Sequence, residues 1–355
     1  MKRTLYGPLV VTSIVSAFST IVLAGDTPKE TVVTSIVRIA DDRPTGTTVS
    51  RQGRVFATLP YTQYSDRNHR ASVVEILPDG TTKPFPNEEW NPSGGEVDAE
   101  PQRVGDWFLC VQSAWVDDLD RLWVLDSGSP RRNGVVPEGA KLVAIDLTTN
   151  AVVRTIVFSR EVVSGDAYIN DLRVDAERDV AYVTDTGRAG LIVVDLSTGS
   201  ARRVLSSGNT VHLFAQGPKI EGIEIDEGVR RTFSRSFDGV AVDPERDLVF
   251  LGTQPWLGKT LYRISGAVLR NTTLSKREIE AEVEIVGTPA YMDGIALAPG
   301  GDIYVTDMEN ARILKVSRAN GSATVIAWDE RMQWPDTVGV GPDSRSLFVP
   351  SPRFH

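Results

Sequence analysis

A strand-sized phrase returns along this chain and limits what it can fold into. It reads Asp120-Arg-Leu-Trp-Val-Leu-Asp126, Asp179-Val-Ala-Tyr-Val-Thr-Asp185, Asp247-Leu-Val-Phe-Leu-Gly-Thr253 and Asp302-Ile-Tyr-Val-Thr-Asp307, with degenerate copies at Gly53-Arg-Val-Phe-Ala-Thr58 and Ser346-Leu-Phe-Val-Pro350. A polar turn, a buried β run and a terminal polar residue, repeated every ~40 to 70 residues, is the pattern of small sheets set around an axis.

Apolar runs with acidic turns precede the copies, as in Phe237-Asp-Gly-Val-Ala-Val-Asp243 and Tyr291-Met-Asp-Gly-Ile-Ala-Leu297. Alternating hairpins follow, as in Lys141-Leu-Val-Ala-Ile-Asp146 and Ala151-Val-Val-Arg-Thr-Ile-Val157. About four short strands per unit, joined by Asn, Asp and Gly turns, make a propeller blade. The repeats predict an all-β, six-bladed β-propeller. The last copy runs out of chain before its outer strands, so Thr31-Val-Val-Thr-Ser-Ile-Val-Arg-Ile39 is expected to pair into the last blade and close the ring.

Residues 25–355 read as one domain, because no Pro- or Ser-rich linker divides them and closed all-β folds often run long as single units. Residues 1–24 read as a signal peptide. Lys2 and Arg3 precede a mostly apolar stretch from Leu9 to Leu23, and Ala24 stands before Gly25 at the expected cleavage point. Ser13, Ser16, Ser19 and Thr20 make that stretch a poor membrane span. The expected product is secreted, extracellular or periplasmic, and not inserted in a membrane. Cys110 is the only cysteine, so no internal disulfide is available, and its apolar setting marks a small core residue. A net charge of −9 disfavours nucleic acid and anionic membrane partners and favours cations. The sequons Asn271-Thr-Thr273 and Asn320-Gly-Ser322 are acceptors only in a eukaryotic secretory pathway.

The usual catalytic parts are missing. No His stands near a Gly-x-Ser-x-Gly elbow or the Cys, no His or Cys spacing suits zinc or iron, and no glycine loop that cradles phosphate opens a helix. Oxygen chemistry remains. Asn170-Asp171, Asp238, Asp293 and Asp336 each stand just before an inner-strand run, so residues far apart in sequence are expected to converge at one mouth of the channel. Such a set suits a hard cation such as calcium or a protonated amine. The alternative is that Asp238-Gly239 and Asp293-Gly294 are turn chemistry. Trp334, directly before Pro335-Asp336, either packs between sheets or walls the mouth pocket and stacks on an aromatic amine. The second acidic series, Asp126, Asp185 and Asp307, ends strands at equivalent places and is expected to tie down neighbouring loops. Asn310 is a further candidate contact at the rim.

Several ordered motifs resemble the major royal jelly protein and Yellow family. They are Val111-Gln-Ser-Ala-Trp-Val-Asp-Asp118, Arg121-Leu-Trp-Val-Leu-Asp-Ser-Gly128, Tyr168-Ile-Asn-Asp-Leu-Arg-Val-Asp175, Ala181-Tyr-Val-Thr-Asp-Thr-Gly187, Gly190-Leu-Ile-Val-Val-Asp195 and Met332-Gln-Trp-Pro-Asp336. The resemblance implies a secreted six-bladed propeller. It brings in functions as different as dopachrome conversion, binding of biogenic amines and nutrition, so it does not fix a reaction. The chain lacks the paired cysteines of the insect members, which points to a microbial relative. A more distant resemblance is to gluconolactonase and regucalcin-like propellers, which hold a divalent cation at the channel mouth. Asn170, Asp238 and Asp293 fall in the comparable motifs, although Asp238 stands where that group has Asn and its first-blade Glu has no counterpart.

Three expectations follow, all with a small-molecule ligand. A dopachrome isomerase would use Asp238 or Asp293 to accept a proton and would need no cofactor. A lactonase would hold calcium or another divalent cation with Asn170, Asp238 and Asp293. A binding protein would hold a cationic or aromatic amine among Asn170, Asp171, Trp334, Asp336 and Asn310.

Overall fold

Turn residues explain why each repeat begins as it does. Gly53 (φ 82°), Asp120 (58°), Asp179 (49°), Asp247 (52°) and Gly301 (91°) stand at or just before the start of five copies, all in the left-handed region. Gly, Asp and Asn tolerate that conformation best, so the chain reverses there. The apolar runs on either side then pair as antiparallel neighbours, Val111–Val116 with Arg121–Asp126 and that strand with Lys141–Asp146.

The structure is a computed structural model that describes residues 9–15, 18–23, 31–33, 37, 39, 43–65, 69–205, 218–224 and 236–353. Five four-stranded sheets each run as a sequential antiparallel meander. Blade 1 begins with Gly46–Val49 and ends with Thr82–Pro84, and blade 2 runs from Val111–Val116 to Ala151–Val157. Blade 3 runs from Ile169–Asp175 to Ala201–Val204, blade 4 from Phe237–Asp243 to Glu284–Gly287, and blade 5 from Ile295–Leu297 to Ala323–Trp328. The first strands of successive blades lie against one another around the axis. Helices are few and short, such as Gly94–Ala99 and Lys276–Ala281, each opened by a Ser and Glu capping box. Among the described residues no helix is long and apolar enough to cross a membrane.

The structure corrects the blade count, with five blades where the repeats predict six. Among the described residues the last repeat supplies Gly339–Val340 and Ser346–Ser351, which do not form a four-stranded meander of their own. These two strands belong to a five-stranded sheet with Leu9–Val15, Phe18–Leu23 and Thr31–Val33. The neighbour of Ser346–Ser351 is Leu9–Val15, running parallel, while Thr31–Val33 pairs with Phe18–Leu23. The expected closing segment thus joins this sheet through Thr31–Val33, but two strands out from Ser346–Ser351 and not beside it. The expected cleavage point before Gly25 lies outside the described residues. Gly339–Val340 abuts Gly46–Val49, where Thr47 N donates to Thr337 Oγ1 at 3.0 Å and Thr337 Oγ1 donates to Thr45 O at 2.9 Å.

Apolar side chains fill the wedges between sheets. Trp123, Leu125 and Leu142 of blade 2 meet Ile169, Leu172 and Val183 of blade 3, and Tyr182 and Val193 of blade 3 meet Phe237, Val240 and Leu251 of blade 4. Burying each such side chain contributes roughly 1.5–3 kcal/mol. Cys110 lies wholly inside, and burial pushes its thiol up to about 12, which makes it the inert core residue its sequence setting implies.

Candidate functional site at the mouth of the channel

The site begins as an irregularity in the ladders. In blade 3, Ile169 faces Asp185 and Leu172 faces Val183, so Asn170 and Asp171 stand opposite Thr184 alone. In blade 4, Phe237 faces Thr253 and Val240 faces Leu251, so Asp238 and Gly239 stand opposite Gly252 alone. Blade 2 shifts register at Gln112 in the same part of its first strand. Two residues against one is a β-bulge, which bends the strand and re-aims its side chains. Two of these bulges fall on residues the sequence singled out, Asn170 with Asp171 and Asp238, and the third falls on Gln112.

The glycine after each acid has a different cause from the turn chemistry considered above. A Cβ on Gly239 would lie 2.8 Å from Asp293 O, and one on Gly294 would lie 2.4 Å from both Asp336 O and Thr337 Cα. These glycines let the inner strands of successive sheets touch, and the contact draws Asp238, Asp293 and Asp336 together. Thr184 Oγ1 crosses from blade 3 to blade 4, donating to Asp238 O at 2.7 Å, whereas Thr306 Oγ1 accepts from Gly294 N at 3.0 Å within blade 5.

Asp238, Asp293 and Asp336 are all buried. Burial raises the Asp238 carboxyl well above the usual range, the charges of Asp293 and Asp171 add to this, and Arg132 pulls the other way. Asp336 is raised in the same manner, by burial first and then by Asp293, Asp238 and Asp171. Such groups titrate together, sharing protons among them. Asn170 donates its amide Nδ2 to Asp238 Oδ1. Trp334 donates Nε1–H to Asp293 Oδ2 at 2.6 Å and is buried with Ile220 and Met308, partly exposed Trp256 packing against them. Its backbone sits at φ 56°, an uncommon conformation for a bulky residue that the packing around its ring holds in place.

Asp171 sits one step away in a structural role. Its Oδ1 accepts from Ser113 Oγ and from an Arg173 guanidinium nitrogen, each at 2.8 Å, and its Oδ2 accepts from Val240 N at 3.1 Å. Arg173 extends beneath it past blade 4 to blade 5, donating to Ile295 O at 2.8 Å with its guanidinium 4.5 Å from the centre of the Trp115 ring. Asn310 holds Asp307 with its amide at 2.9 and 3.0 Å, which makes it a brace of blade 5.

The second acidic series ties down loops. Asp126 accepts from Leu109 N, Cys110 N and Gly128 N and pairs with wholly buried Lys141 at 2.9 Å. Asp185 accepts from Tyr168 N, Gly187 N and Arg188 N. Asp307 is held by side chains instead, those of Asn310 and Arg312.

Three residues near the acids escape the sequence reading. Tyr168 is buried two positions before Asn170 and donates its hydroxyl to Gln112 Oε1 at 2.7 Å. Arg132 lies 4.5 Å over the Tyr168 ring. Gln112 had a signal, since it occupies the irregular first-strand position that Asn170 and Asp171 occupy in blade 3. Arg132 had none, because it sits on a loop whose path no periodicity predicts.

The set Asn170, Asp238 and Asp293 is tied into hydrogen bonds among the site residues. One Asp238 oxygen accepts from Asn170 and one Asp293 oxygen from Trp334. Among the described residues no group of three or more His, Cys, Asp or Glu is placed to hold an ion.

Five meander sheets around an axis, with Gly339–Val340 and Ser346–Ser351 packed between the last and the first, and with acids converging from successive sheets, define a β-propeller. The fold is similar to that of a chain in a nidogen/laminin complex, at TM-score 0.58 and 11% identity, with 94% of this chain and 98% of that chain covered. The sequence profile of the major royal jelly protein family matches residues 109–349, more than half of the chain, and the chain belongs to that family. It is 28% identical to major royal jelly protein 1 of Apis mellifera over 178 residues, 47% of this chain and 39% of that protein. It is 25% identical to major royal jelly protein 3 of the same organism over 211 residues, 57% of this chain and 37% of that protein. The matched stretches thus span well under half the length of these curated relatives.

Proposed function

We propose that this chain is a secreted major royal jelly-like propeller that holds a small aromatic or cationic ligand at the channel mouth and shifts a proton on quinones resembling dopachrome. One observation carries the reading: three buried carboxyls from successive sheets meet beside a tryptophan, with Asp238 and Asp336 held toward the protonated form. Acids whose environments differ are the parts of an acid and base pair. Asp293, whose oxygen takes the Trp334 N–H, removes a ring proton from the substrate. Asp238, carrying its shared proton, gives one to the quinone oxygen. The reaction is an isomerisation, so no electrons leave and no cofactor is consumed.

The test is the initial rate of dopachrome loss, with and without chelator, for the wild type and Asp293→Asn. Saturable loss that ignores chelator and falls about a hundredfold in the folded variant supports the reading. No dopachrome loss above the spontaneous rate, with chelator-sensitive hydrolysis of a lactone substrate, would favour the metal-dependent lactonase. No loss above the spontaneous rate, with amine binding retained, would leave a binding protein. Secretion is checked by sequencing the N-terminus of exported protein, which should begin near Gly25.

A further inference from the structure

The acids do not make up the whole mouth. In the loop after Arg121–Asp126, Arg131 and Arg132 both adopt φ 55°, a conformation costing roughly 1–3 kcal/mol for a residue other than glycine. Three bonds hold them there: Arg131 N donates to Tyr61 O at 2.7 Å, an Arg131 guanidinium nitrogen donates to the Tyr61 hydroxyl at 3.1 Å, and Arg132 N donates to Ser129 O at 3.0 Å. The result is an exposed Arg132 whose guanidinium rests on the buried Tyr168 ring, 4.5 Å from its centre. Tyr168 leads within two residues to Asn170, and Asn170 touches Asp238. A cation stacked on an aromatic ring thus stands at the start of the strand that carries Asn170, and the Arg132 charge reaches Asp238.

We propose that Arg132 is the anion-binding arm of this mouth, and that the ligand class is an aromatic compound carrying a carboxylate together with a protonated nitrogen, an amino-acid derivative and not a decarboxylated amine. The inference rests on the aromatic-ligand reading given above. The guanidinium fork matches a carboxylate at two points, its place over Tyr168 fixes the direction of approach, and the nitrogen end of the ligand falls to the acids below. A simple amine would satisfy only the lower half of the site.

Calorimetric titration of the full chain with tyrosine, tyramine and 3-(4-hydroxyphenyl)propionate tests this. Tyrosine should bind about tenfold more tightly than tyramine, the scale of one charge-assisted contact. Arg132→Gln should erase that difference by weakening the two carboxylate probes alone, and Arg132→Lys should fall between. Equal binding of tyrosine and tyramine to the wild type, or an Arg132→Gln variant that leaves their ratio unchanged, would overturn the role of Arg132 while the aromatic site stands. Binding by none of the three would overturn the site and this inference together.

Discussion

Asp238 and Asp336 are where stability and chemistry conflict at the residue scale. An aspartate in the unfolded chain loses its proton near pH 4, whereas these two hold theirs to higher pH when folded. Between those limits the folded state binds more protons than the unfolded state, so stability falls as pH rises through the window and does not change below it. Asp238→Asn should therefore raise stability at pH 7.5 by about 1 kcal/mol, as relief of strain at a functional site does, and should change little at pH 4. Thermal melts at the two pH values check this. A matching loss of dopachrome turnover would identify the strain as functional. Lys141 shows the opposite case. It and Asp126 are wholly buried and paired, so Lys141→Met leaves an uncompensated charge and should cost about 3 kcal/mol in chemical denaturation, without touching the mouth.

The inner strands, bulged at Asn170 and Asp238 and closely approached at Gly239 and Gly294, are the elements on which the site depends. Gly294→Ala would drive a methyl into Asp336 O and Thr337 Cα, so it should destabilise by about 3 kcal/mol and separate Asp293 from Asp336 even where folding survives. Gly53→Ala, at a turn with nothing near its Cβ position, should cost only the backbone strain of about 1 kcal/mol. Comparing the two melts separates close approach from turn strain. Sequence alone pointed to the acids, because Asp or Asn before each inner run repeats at a fixed place. It offered the Asp-Gly pairs as turns, because the same dipeptide serves both purposes and only the neighbouring blade decides between them. Arg132 and Tyr168 stayed hidden because their meeting depends on two consecutive left-handed arginines, which no pattern of apolar residues encodes.

At the scale of the whole molecule, the propeller was legible because five copies share one turn position ahead of a short apolar strand. The count failed at the sixth copy, whose strands Gly339–Val340 and Ser346–Ser351 share a five-stranded sheet with the N-terminal strands in place of a four-stranded meander. Every site residue lies on blades 2 to 5, on their loops, or on the chain just before Gly339–Val340. A chain beginning at Gly25 should therefore keep ligand binding while melting several degrees lower, since Ser346–Ser351 loses its Leu9–Val15 neighbour. Family membership fits this division, the profile match covering residues 109–349 where the site is assembled. The central claim is that the ring of inner strands brings three carboxyls close enough to share protons. Infrared difference spectra of the full chain against Asp238→Asn and Asp336→Asn test it most directly. The account predicts a protonated-carboxyl band that persists well above pH 4, diminished in each variant, and a wild-type spectrum with every aspartate ionised by pH 5 would contradict it.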